Sequence, residues 1–350
     1  MSDTQITSRQ QAILDFLSQT PISRSAIETQ IQDKYPFSKP TLIRELNILS
    51  GLGLIKAQGK GKSTAYVSLQ NPLLKFIDLQ RYFMVDSVLR KGVKTGFDFG
   101  IFNYLKTVFS ENEIKEWNKK LLHLSSQEKK LDKTIFKREI ERFTIEFSWK
   151  SSRIEGNTYS LLETDILIRQ MKEAEGHPRE EAVMILNHKS AIDYILKNRE
   201  EFRRLTLDKV LNIHRFLIKN LEVSAGIRKD PVAITGTNYL PLAERDSLIK
   251  ALRQTIDLIN TTVSPIAKAF MASFMMAYIQ PFNDGNKRTG RTLANAILIA
   301  YDLYPVSYRE VKEIDYVEAM LLIYEQNNLY HLKQMFLEQL EFSRNNYFRN

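Results

Sequence analysis

Apolar residues at helical spacing fill most of the chain after residue 143, and this pattern constrains the fold more than any other feature. It runs through seven segments: 160–174, 180–197, 207–220, 245–260, 266–279, 287–302 and 313–341. Because side chains three and four positions apart share one face of a helix, each segment presents an apolar stripe to a common core. The sequence therefore predicts a mainly α-helical fold, with a helical bundle over residues 143–345.

One segment interrupts the helical pattern. Residues 228–242 contain β-branched residues and turn formers, centred on Thr235-Gly236-Thr237-Asn238. That composition predicts a short β-hairpin flap. Residues 71–142 have weaker patterns, and we expect a helical linker that extends the bundle at its amino-terminal side.

The first 70 residues form a unit of different character. Three short helical patterns are followed by two β-like runs, 54–57 and 64–69, which a basic segment joins. Three helices and a basic hairpin resemble a winged helix-turn-helix domain, which predicts DNA binding. The third helix would enter the major groove and the hairpin would contact phosphate, through Lys39, Thr41, Arg44 and Asn47 on the helix and Lys60 and Lys62 on the hairpin. Winged helices also serve as dimerisation or protein-docking modules, so this alternative stays open.

Composition excludes several classes of protein. The 350 residues include no cysteine, which rules out disulfide scaffolds, thiolate metal sites and a cysteine nucleophile. The 43% hydrophobic content is ample for a core, so the chain is not intrinsically disordered. The longest apolar stretches are shorter than a membrane span and no secretory signal is visible, which predicts a cytoplasmic protein without membrane contact. The net charge of +9 weakly favours a polyanionic partner.

The strongest local signal is the run Gln280-Pro281-Phe282-Asn283-Asp284-Gly285-Asn286-Lys287-Arg288-Thr289-Gly290-Arg291. An apolar helix ends before it, and a new helix begins near Asn286 with cations in its first turns. Cations are disfavoured at a helix N-terminus unless an anion binds there, and the free backbone N–H groups also attract anions. The pattern indicates a phosphate site, with Asp284 as a possible Mg²⁺ ligand. The alternative is an ordinary turn capped by Asp284, with the arginines on a solvated face.

This run resembles the signature of Fic-domain proteins, His-Pro-Phe-x-(Asp/Glu)-Gly-Asn-(Gly/Lys)-Arg-x-x-Arg, and departs from it at one specified position. Residues 151–157, Ser-Ser-Arg-Ile-Glu-Gly-Asn, resemble the inhibitory helix of the family, Ser/Thr-x-x-x-Glu-(Gly/Asn). The segment from Gly226-x-Arg228 to Pro241 is similar to the family's flap. The resemblance covers roughly residues 75–335 and implies a Fic-type helical bundle.

The resemblance implies transfer of AMP from ATP, with Mg²⁺, to a hydroxyl group of a protein. Asp284 would bind the metal, and Asp284, Asn286 and Arg288 would belong to the catalytic group. The nucleotide would lie against the following helix start, the flap and one tyrosine, at Gly285, Asn286, Lys287, Arg288, Thr289, Gly290, Arg291, Thr235, Gly236, Thr237 and Tyr316. Glu155 would pair with Arg291 in place of the γ-phosphate, which is autoinhibition.

Gln280 occupies the position of the family's catalytic histidine. A neutral histidine accepts a proton near pH 7, whereas a glutamine amide only orients a hydroxyl group. Loss of a general base costs about 10²- to 10⁴-fold in rate. None of the five histidines lies beside the run in sequence: His123, His177, His188, His214 and His331. The position is either a native feature of a nucleotide-binding regulator or a substitution that disarms a transferase.

Two functions of different class follow. The first is a nucleotide-binding Fic protein of the adenylyltransferase type, autoinhibited by Glu155 and impaired at Gln280, so its status as an enzyme stays open. Its target would be a serine, threonine or tyrosine hydroxyl on a protein, including this chain itself. The second is a non-enzymatic transcription regulator that binds DNA through residues 1–70 and senses nucleotide with the Fic domain. A homodimer is compatible with either.

Overall fold

The computed structural model describes residues 7–17, 20–52, 54–59, 61–121, 126 and 129–347. Lys60 and His123 lie outside the described residues, as does the side chain of Lys62, so the predicted phosphate contacts of the hairpin are not addressed. The chain divides into two compact units, Met1–Lys75 and Phe76–Asn350.

The first unit contains the three predicted helices and a small antiparallel sheet. Helices α1 (Ser8–Phe16), α2 (Arg24–Gln32) and α3 (Lys39–Gly51) accompany strands β1 (Ile22–Ser23), β2 (Ile55–Gln58) and β3 (Ala65–Ser68). The strand order is β1-β3-β2, and the short β1 was not predicted. Apolar side chains of all three helices are buried together: Ile13, Leu14, Ile27, Ile31, Leu42, Leu46 and Leu49.

The second unit is a bundle of helices. In chain order its described helices are α4 (Leu79–Phe83), α5 (Phe102–Leu105), α6 (Glu111–Lys120), α7 (Lys133–Arg153), α8 (Leu161–Gln170), α9 (Arg179–Lys197), α10 (Leu207–Ile218), α11 (Arg245–Thr261), α12 (Pro265–Ile279), α13 (Asn286–Ala300), α14 (Glu313–Gln326) and α15 (Tyr330–Asn346). The mainly α-helical prediction is confirmed.

Helices α12 and α13 form the centre of this bundle. Residues 266–279 of α12 are all buried, as expected for a helix that is apolar on every side. Gly290 allows the backbone of α13 to approach α12, because a Cβ atom there would lie 2.6 Å from the carbonyl oxygen of Ser273. The two helices thus fix the loop between them, residues 280–285, at the end of a rigid pair.

The predicted helix 313–341 is in fact two helices. Asn327 adopts a left-handed conformation, with φ of 51°, and ends α14. Its side chain accepts a hydrogen bond from the Tyr278 hydroxyl at 2.6 Å and donates one to Asp98 at 3.0 Å. Asparagine tolerates this backbone conformation better than most residues. The hydrogen bonds of its side chain therefore stabilise the end of α14.

The predicted β-hairpin at 228–242 was wrong. The structure describes these residues as an irregular segment with a turn at Thr235–Gly236, and their one β-bridge pairs Leu240 with Gly96. Pro231 and Pro241 lack the N–H groups that a hairpin ladder requires. The carbonyls of this region instead accept hydrogen bonds from the buried Arg228 guanidinium, as described below. The segment 228–242 is called the flap from here on.

No helix within the described ranges is both long and apolar enough to cross a membrane.

Candidate functional site

The loop between α12 and α13 is shaped by its own side chains. Gln280, with φ of 54°, ends α12, and Gly285, with φ of 79°, precedes the first residue of α13. Asn286 fastens the loop: its Oδ1 accepts from the Phe282 N–H at 3.0 Å, and its Nδ2 donates to the Phe282 carbonyl at 2.8 Å. Asn286 therefore holds the loop in one conformation and has its amide occupied by protein groups.

The start of α13 carries no side-chain cap. The backbone N–H groups of Asn286, Lys287 and Arg288 have no hydrogen-bond acceptor among the described residues. Asp284 accepts from the Gly285 N–H at 2.6 Å and from Arg288 Nη2 at 2.6 Å, and its side chain is exposed. Free N–H groups at the positive end of a helix, beside cationic side chains, form an anion site.

Glu155 reaches the same helix from the end of α7. Its Oε1 lies 2.7 Å from Arg291 Nη2, and its Oε2 lies 2.9 Å from Lys287 Nζ. Burial raises the pKa of this carboxyl, but the attraction of Arg291 and Lys287 outweighs burial and brings the pKa down to about 2. The predicted pairing of Glu155 with Arg291 is present, and a carboxylate already fills the position where an anion would meet Arg291.

A second layer of side chains orients Arg291. Its guanidinium donates to Ser151 Oγ at 3.0 Å and to the Ser151 carbonyl at 2.8 Å. Buried His188 donates from Nδ1 to the Met184 carbonyl at 2.9 Å, which leaves Nε2 to accept from Ser151 Oγ at 2.9 Å. Burial lowers the pKa of His188 to about 3, so the ring is neutral. Neither orienting role was predicted, although Ser151 belongs to the run 151–157, whose motif is visible in the sequence.

Gln280 lies at the rim of the loop with its amide engaged. Its Nε2 donates to the Ala277 carbonyl at 2.9 Å, and its Oε1 accepts from Asn286 Nδ2 at 2.7 Å. The backbone carbonyl of Gln280 accepts from Arg228 Nε at 2.7 Å. A glutamine amide does not take up a proton near neutral pH, and here its nitrogen and its oxygen both already make hydrogen bonds. Gln280 therefore supplies no general base.

His214 lies against the loop, although it is distant in sequence. Its ring stacks on Phe282 with centroids 3.7 Å apart, and its Nε2 donates to the Asp284 carbonyl at 3.0 Å. Burial lowers its pKa to about 4. The residue is fully buried. A ring whose Nε2 proton is held by a backbone carbonyl supports the loop and does not replace the missing base.

The flap is tied to the loop through Arg228. This guanidinium donates to the carbonyls of Gln280, Asp230 and Leu242, which belong to the loop and to the flap. At the tip, the Thr235–Gly236 turn is exposed and Thr237 is half-buried. Arg228 therefore links the flap directly to the position of the missing histidine, which sequence reasoning did not predict.

The remaining predicted residues lie around the pair of central helices. Tyr316 on α14 has its ring 5.1 Å from the Arg291 guanidinium carbon, so it borders the anion site. Gly290 packs on α12, and Thr289 is fully buried within α13. The structure thus brings together the loop, α13, Glu155 and Tyr316. Gly290 and Thr289 instead contribute to the packing of α13 within the bundle.

The groups around the start of α13 could hold anionic oxygens and a hard divalent cation. Free N–H groups at 286–288 and the side chains of Lys287, Arg288 and Arg291 suit phosphate oxygens. Asp284 offers one exposed carboxylate, and Mg²⁺ is commonly bound by one or two carboxylates together with substrate phosphates. Among the described residues, no cluster of three or more acidic or histidine side chains could hold a metal alone. The fold and site thus define a mainly α-helical protein with a candidate anion site at the start of α13.

Comparison with known proteins agrees with this class. Residues 204–298 match the sequence model of the Fic/DOC family. The chain is 28% identical over 189 residues to the protein adenylyltransferase Fic of Nematostella vectensis, which covers 53% of this chain and 44% of that protein. It is 30% identical over 201 residues to the protein of the same name from Culex quinquefasciatus, covering 54% and 39%.

Solved structures show the same fold. Fic-1 of Caenorhabditis elegans superposes with a TM-score of 0.55 at 18% identity, covering 70% of this chain and 78% of that one. A Fic domain-containing signaling protein from Bacteroides thetaiotaomicron also superposes with a TM-score of 0.55, covering 66% and 94%. The chain contains a Fic/DOC-family domain. It spans less than half the length of the curated relatives that it matches.

Proposed function

We propose that this protein binds ATP with Mg²⁺ at the start of α13 and is a protein adenylyltransferase by descent, with transfer impaired at Gln280. The observation that carries the proposal is the uncapped N-terminus of α13. Three backbone N–H groups there lack an acceptor within the described chain, and Lys287, Arg288 and Arg291 surround them. Relatives named protein adenylyltransferase Fic support ATP as the nucleotide and a protein as the target.

The groups at the start of α13 and in the flap would have separate roles. The N–H groups of 286–288 and the Arg288 guanidinium would hold phosphate oxygens, and Asp284 would bind Mg²⁺ after releasing Arg288. Bound Mg²⁺ would supply charge neutralisation at the phosphates. The flap, at Thr235 to Thr237, would position a polypeptide whose serine, threonine or tyrosine hydroxyl faces Gln280. That polypeptide would be another protein or this chain itself, and a homodimer is compatible with both.

Glu155 would keep the site in an inhibited state. Its carboxylate occupies Arg291 and Lys287 at 2.7 Å and 2.9 Å, so a phosphate must displace it to reach either cation. One carboxylate that competes with phosphate for one guanidinium changes nucleotide geometry without a large movement. The Glu155 side chain is only 16% exposed and lies between two cations, which supports autoinhibition by the protein's own side chain.

Gln280 would limit catalysis without preventing nucleotide binding. Its amide is held by Ala277 and Asn286 and accepts no proton from a hydroxyl group. We expect a transfer rate about 10²- to 10⁴-fold below that of a form with histidine. The phosphate-binding groups lie in α13 and are unchanged by this substitution.

Isothermal titration calorimetry with ATP and Mg²⁺ tests the binding proposal. We expect saturable binding that Arg288→Ala weakens by at least about tenfold, because a charge-assisted contact to phosphate is lost. Arg169→Ala is the matched control, since Arg169 is exposed and its guanidinium pairs with Asp165 and Glu141. Absence of ATP binding, or equal weakening by both substitutions, would contradict the proposal.

The second candidate function is DNA binding by residues 1–70. Lys39, Arg44 and Asn47 are exposed on α3, and in the described part of the chain neither cation makes an ion pair. This unpaired basic face supports the regulator alternative. Arg44→Ala should weaken binding to a specific genomic fragment in an electrophoretic shift assay, whereas Arg24→Ala on α2 should not. Equal binding by parent and Arg44→Ala would argue that the unit is a protein-docking module.

A further inference from the structure

The segment that contains Glu155 is tied to the start of α9. Residues 154–160 connect α7 to α8. The Asn157 Nδ2 group donates to the Glu181 carbonyl at 2.9 Å, and the Thr158 N–H donates to the Glu181 carboxylate at 2.7 Å. These contacts lie two and three residues after Glu155 along the chain. Any change in them therefore acts close to the inhibitory carboxylate.

His177 joins these contacts to α8. Its Nδ1 lies 2.7 Å from Thr158 Oγ1, which itself lies 2.8 Å from a carboxylate oxygen of Glu181. Its Nε2 lies 3.4 Å from Glu163 Oε1, and the other oxygen of Glu163 accepts from the Ser160 N–H at 2.7 Å. One imidazole ring thus connects the two carboxylates that hold the segment after Glu155 in place.

The side-chain contacts around the ring require three protons. A carboxylate only accepts, so the Thr158 hydroxyl donates to Glu181, and its oxygen then accepts from His177 Nδ1. The contact with Glu163 needs a proton on Nε2 as well. A neutral imidazole has one ring proton and leaves one contact without any, whereas an imidazolium has two. The observed arrangement therefore matches the charged form of His177.

The charges that face His177 also favour its charged form. Glu163 on α8 and Glu181 on α9 lie 3.4 Å and 3.7 Å from its two nitrogens. In the part of the chain that the structure describes, no lysine or arginine pairs with either glutamate, and Arg179 at the start of α9 is exposed. The ring thus lies between two carboxylates that have no other ion pair.

An aromatic ring covers the imidazole on the side of the segment. The centroids of the Tyr159 and His177 rings lie 4.4 Å apart, and the Tyr159 hydroxyl accepts from the Ala174 N–H at 3.1 Å. Burial raises the pKa of Tyr159, and the charge of Glu173 raises it further. Tyr159 therefore stays uncharged, and Glu173 adds a third negative charge near the imidazole.

We propose that His177 is a positioning residue that holds Glu155 in its inhibitory place and makes this inhibition dependent on pH. The inference rests on the autoinhibition proposed above. While the ring is charged, all three contacts form and the segment around Thr158 is fixed. Histidine ordinarily changes its charge between pH 5 and 8, and the neutral ring loses one contact. Inhibition is therefore stronger at acidic pH and weakens as the pH rises.

Calorimetric titration of the full chain with ATP and Mg²⁺ at pH 5.5 and pH 8 tests the proposal. Comparison at equal pH cancels the titration of ATP itself. At pH 5.5 we expect His177→Gln to bind ATP about two- to fivefold more tightly than the parent, as for loss of a partly exposed ion pair. At pH 8 the two affinities should agree. His331→Gln is the matched control and should follow the parent, since His331 on α15 contacts the Ile77 carbonyl.

Glu155→Gln in the same buffers separates the two levels of the argument. If it does not tighten ATP binding, autoinhibition fails and the role of His177 fails with it. If it does, but His177→Gln matches the parent at pH 5.5 or differs from it equally at both pH values, the role of His177 alone is overturned.

Nuclear magnetic resonance of the unmodified chain gives a test that needs no variant. The shifts of the His177 ring nitrogens should show two protons at pH 5.5 and one at pH 8. A ring that is neutral at pH 5.5, or still charged at pH 8, would overturn the proposal even where His177→Gln does not fold.

Discussion

Replacement of Glu155 by glutamine tests the autoinhibition proposal most quantitatively. The pKa of Glu155 is lowered from 4.5 to about 2 by Arg291 and Lys287, despite burial. At about 1.4 kcal/mol for each pKa unit, the ion pairs stabilise the ionised form by about 3 kcal/mol. Because the folded pKa is depressed, this contribution is present above pH 4.5 and is lost as the pH falls toward 2.

The same energy opposes any phosphate that approaches Arg291. Glu155→Gln should therefore lower the free energy of unfolding by about 1–3 kcal/mol, because two cations lose their carboxylate. It should also tighten ATP binding by about 10- to 100-fold, since about 1.4 kcal/mol corresponds to a factor of ten. Calorimetry gives the affinity, and urea unfolding monitored by fluorescence gives the stability.

Glu113→Gln supplies the matched control. Glu113 pairs with Lys333 at 2.5 Å, and its pKa is also lowered, although burial opposes the shift. Loss of this pair should destabilise the protein without changing ATP affinity. An ATP affinity that stays within twofold of the parent in Glu155→Gln would refute the autoinhibition argument. Equal tightening in both variants would refute it too, because general loosening would then be the cause.

Further predictions concern the support of the site. His188 and His214, with pKa values lowered to about 3 and 4, are neutral when folded and bind protons more readily when unfolded. The free energy of unfolding should therefore fall as the pH drops from 7 to 5, by up to about 2 kcal/mol for each ring. Urea unfolding at both pH values should show a smaller loss of stability in His214→Gln than in the parent, and an equal loss would contradict the assignment. Gly290→Ala should destabilise the protein by about 1–3 kcal/mol, because its Cβ would lie 2.6 Å from the Ser273 carbonyl oxygen; thermal unfolding measures this, and a neutral result would mean that α12 and α13 separate easily. Arg228→Lys should increase hydrogen exchange in residues 230–240, because the compact ammonium group lacks the planar spread of donors with which the guanidinium reaches three carbonyls. Exchange equal to that of the parent would show that the flap is held by other contacts.

The helical bundle was predictable because its signal is local. The stripe that predicted 180–197 became α9 at Arg179–Lys197, and the one that predicted 266–279 became α12. The break at Asn327 was not predictable, because the cause is a hydrogen bond to Tyr278, which is distant in sequence. The prediction of a β-hairpin in the flap failed for a similar reason. Its β-branched residues suggest a ladder, but Arg228 and two prolines determine where its carbonyls bond.

The candidate site also has a part that was predictable from the sequence and a part that was not. The loop, the start of α13 and the pairing of Glu155 with Arg291 follow from residues whose spacing or motif is visible in the chain. The support by His188 and His214 depends on how α9 and α10 pack against the site. Their hydrogen bonds to Ser151 and to the Asp284 carbonyl could be found only once the fold was known.

The central claim is that the chain holds a complete nucleotide site that lacks its general base. Incorporation of label from α-³²P-ATP into protein, with Mg²⁺, tests it in the parent, in Gln280→His, and in Gln280→His combined with Glu155→Gly. The account predicts little label in the parent, label in Gln280→His, and the most in the double variant. Absence of label in all three, with ATP still bound, would contradict the transferase proposal and favour a nucleotide-sensing regulator. Strong label in the parent would contradict the role assigned to Gln280.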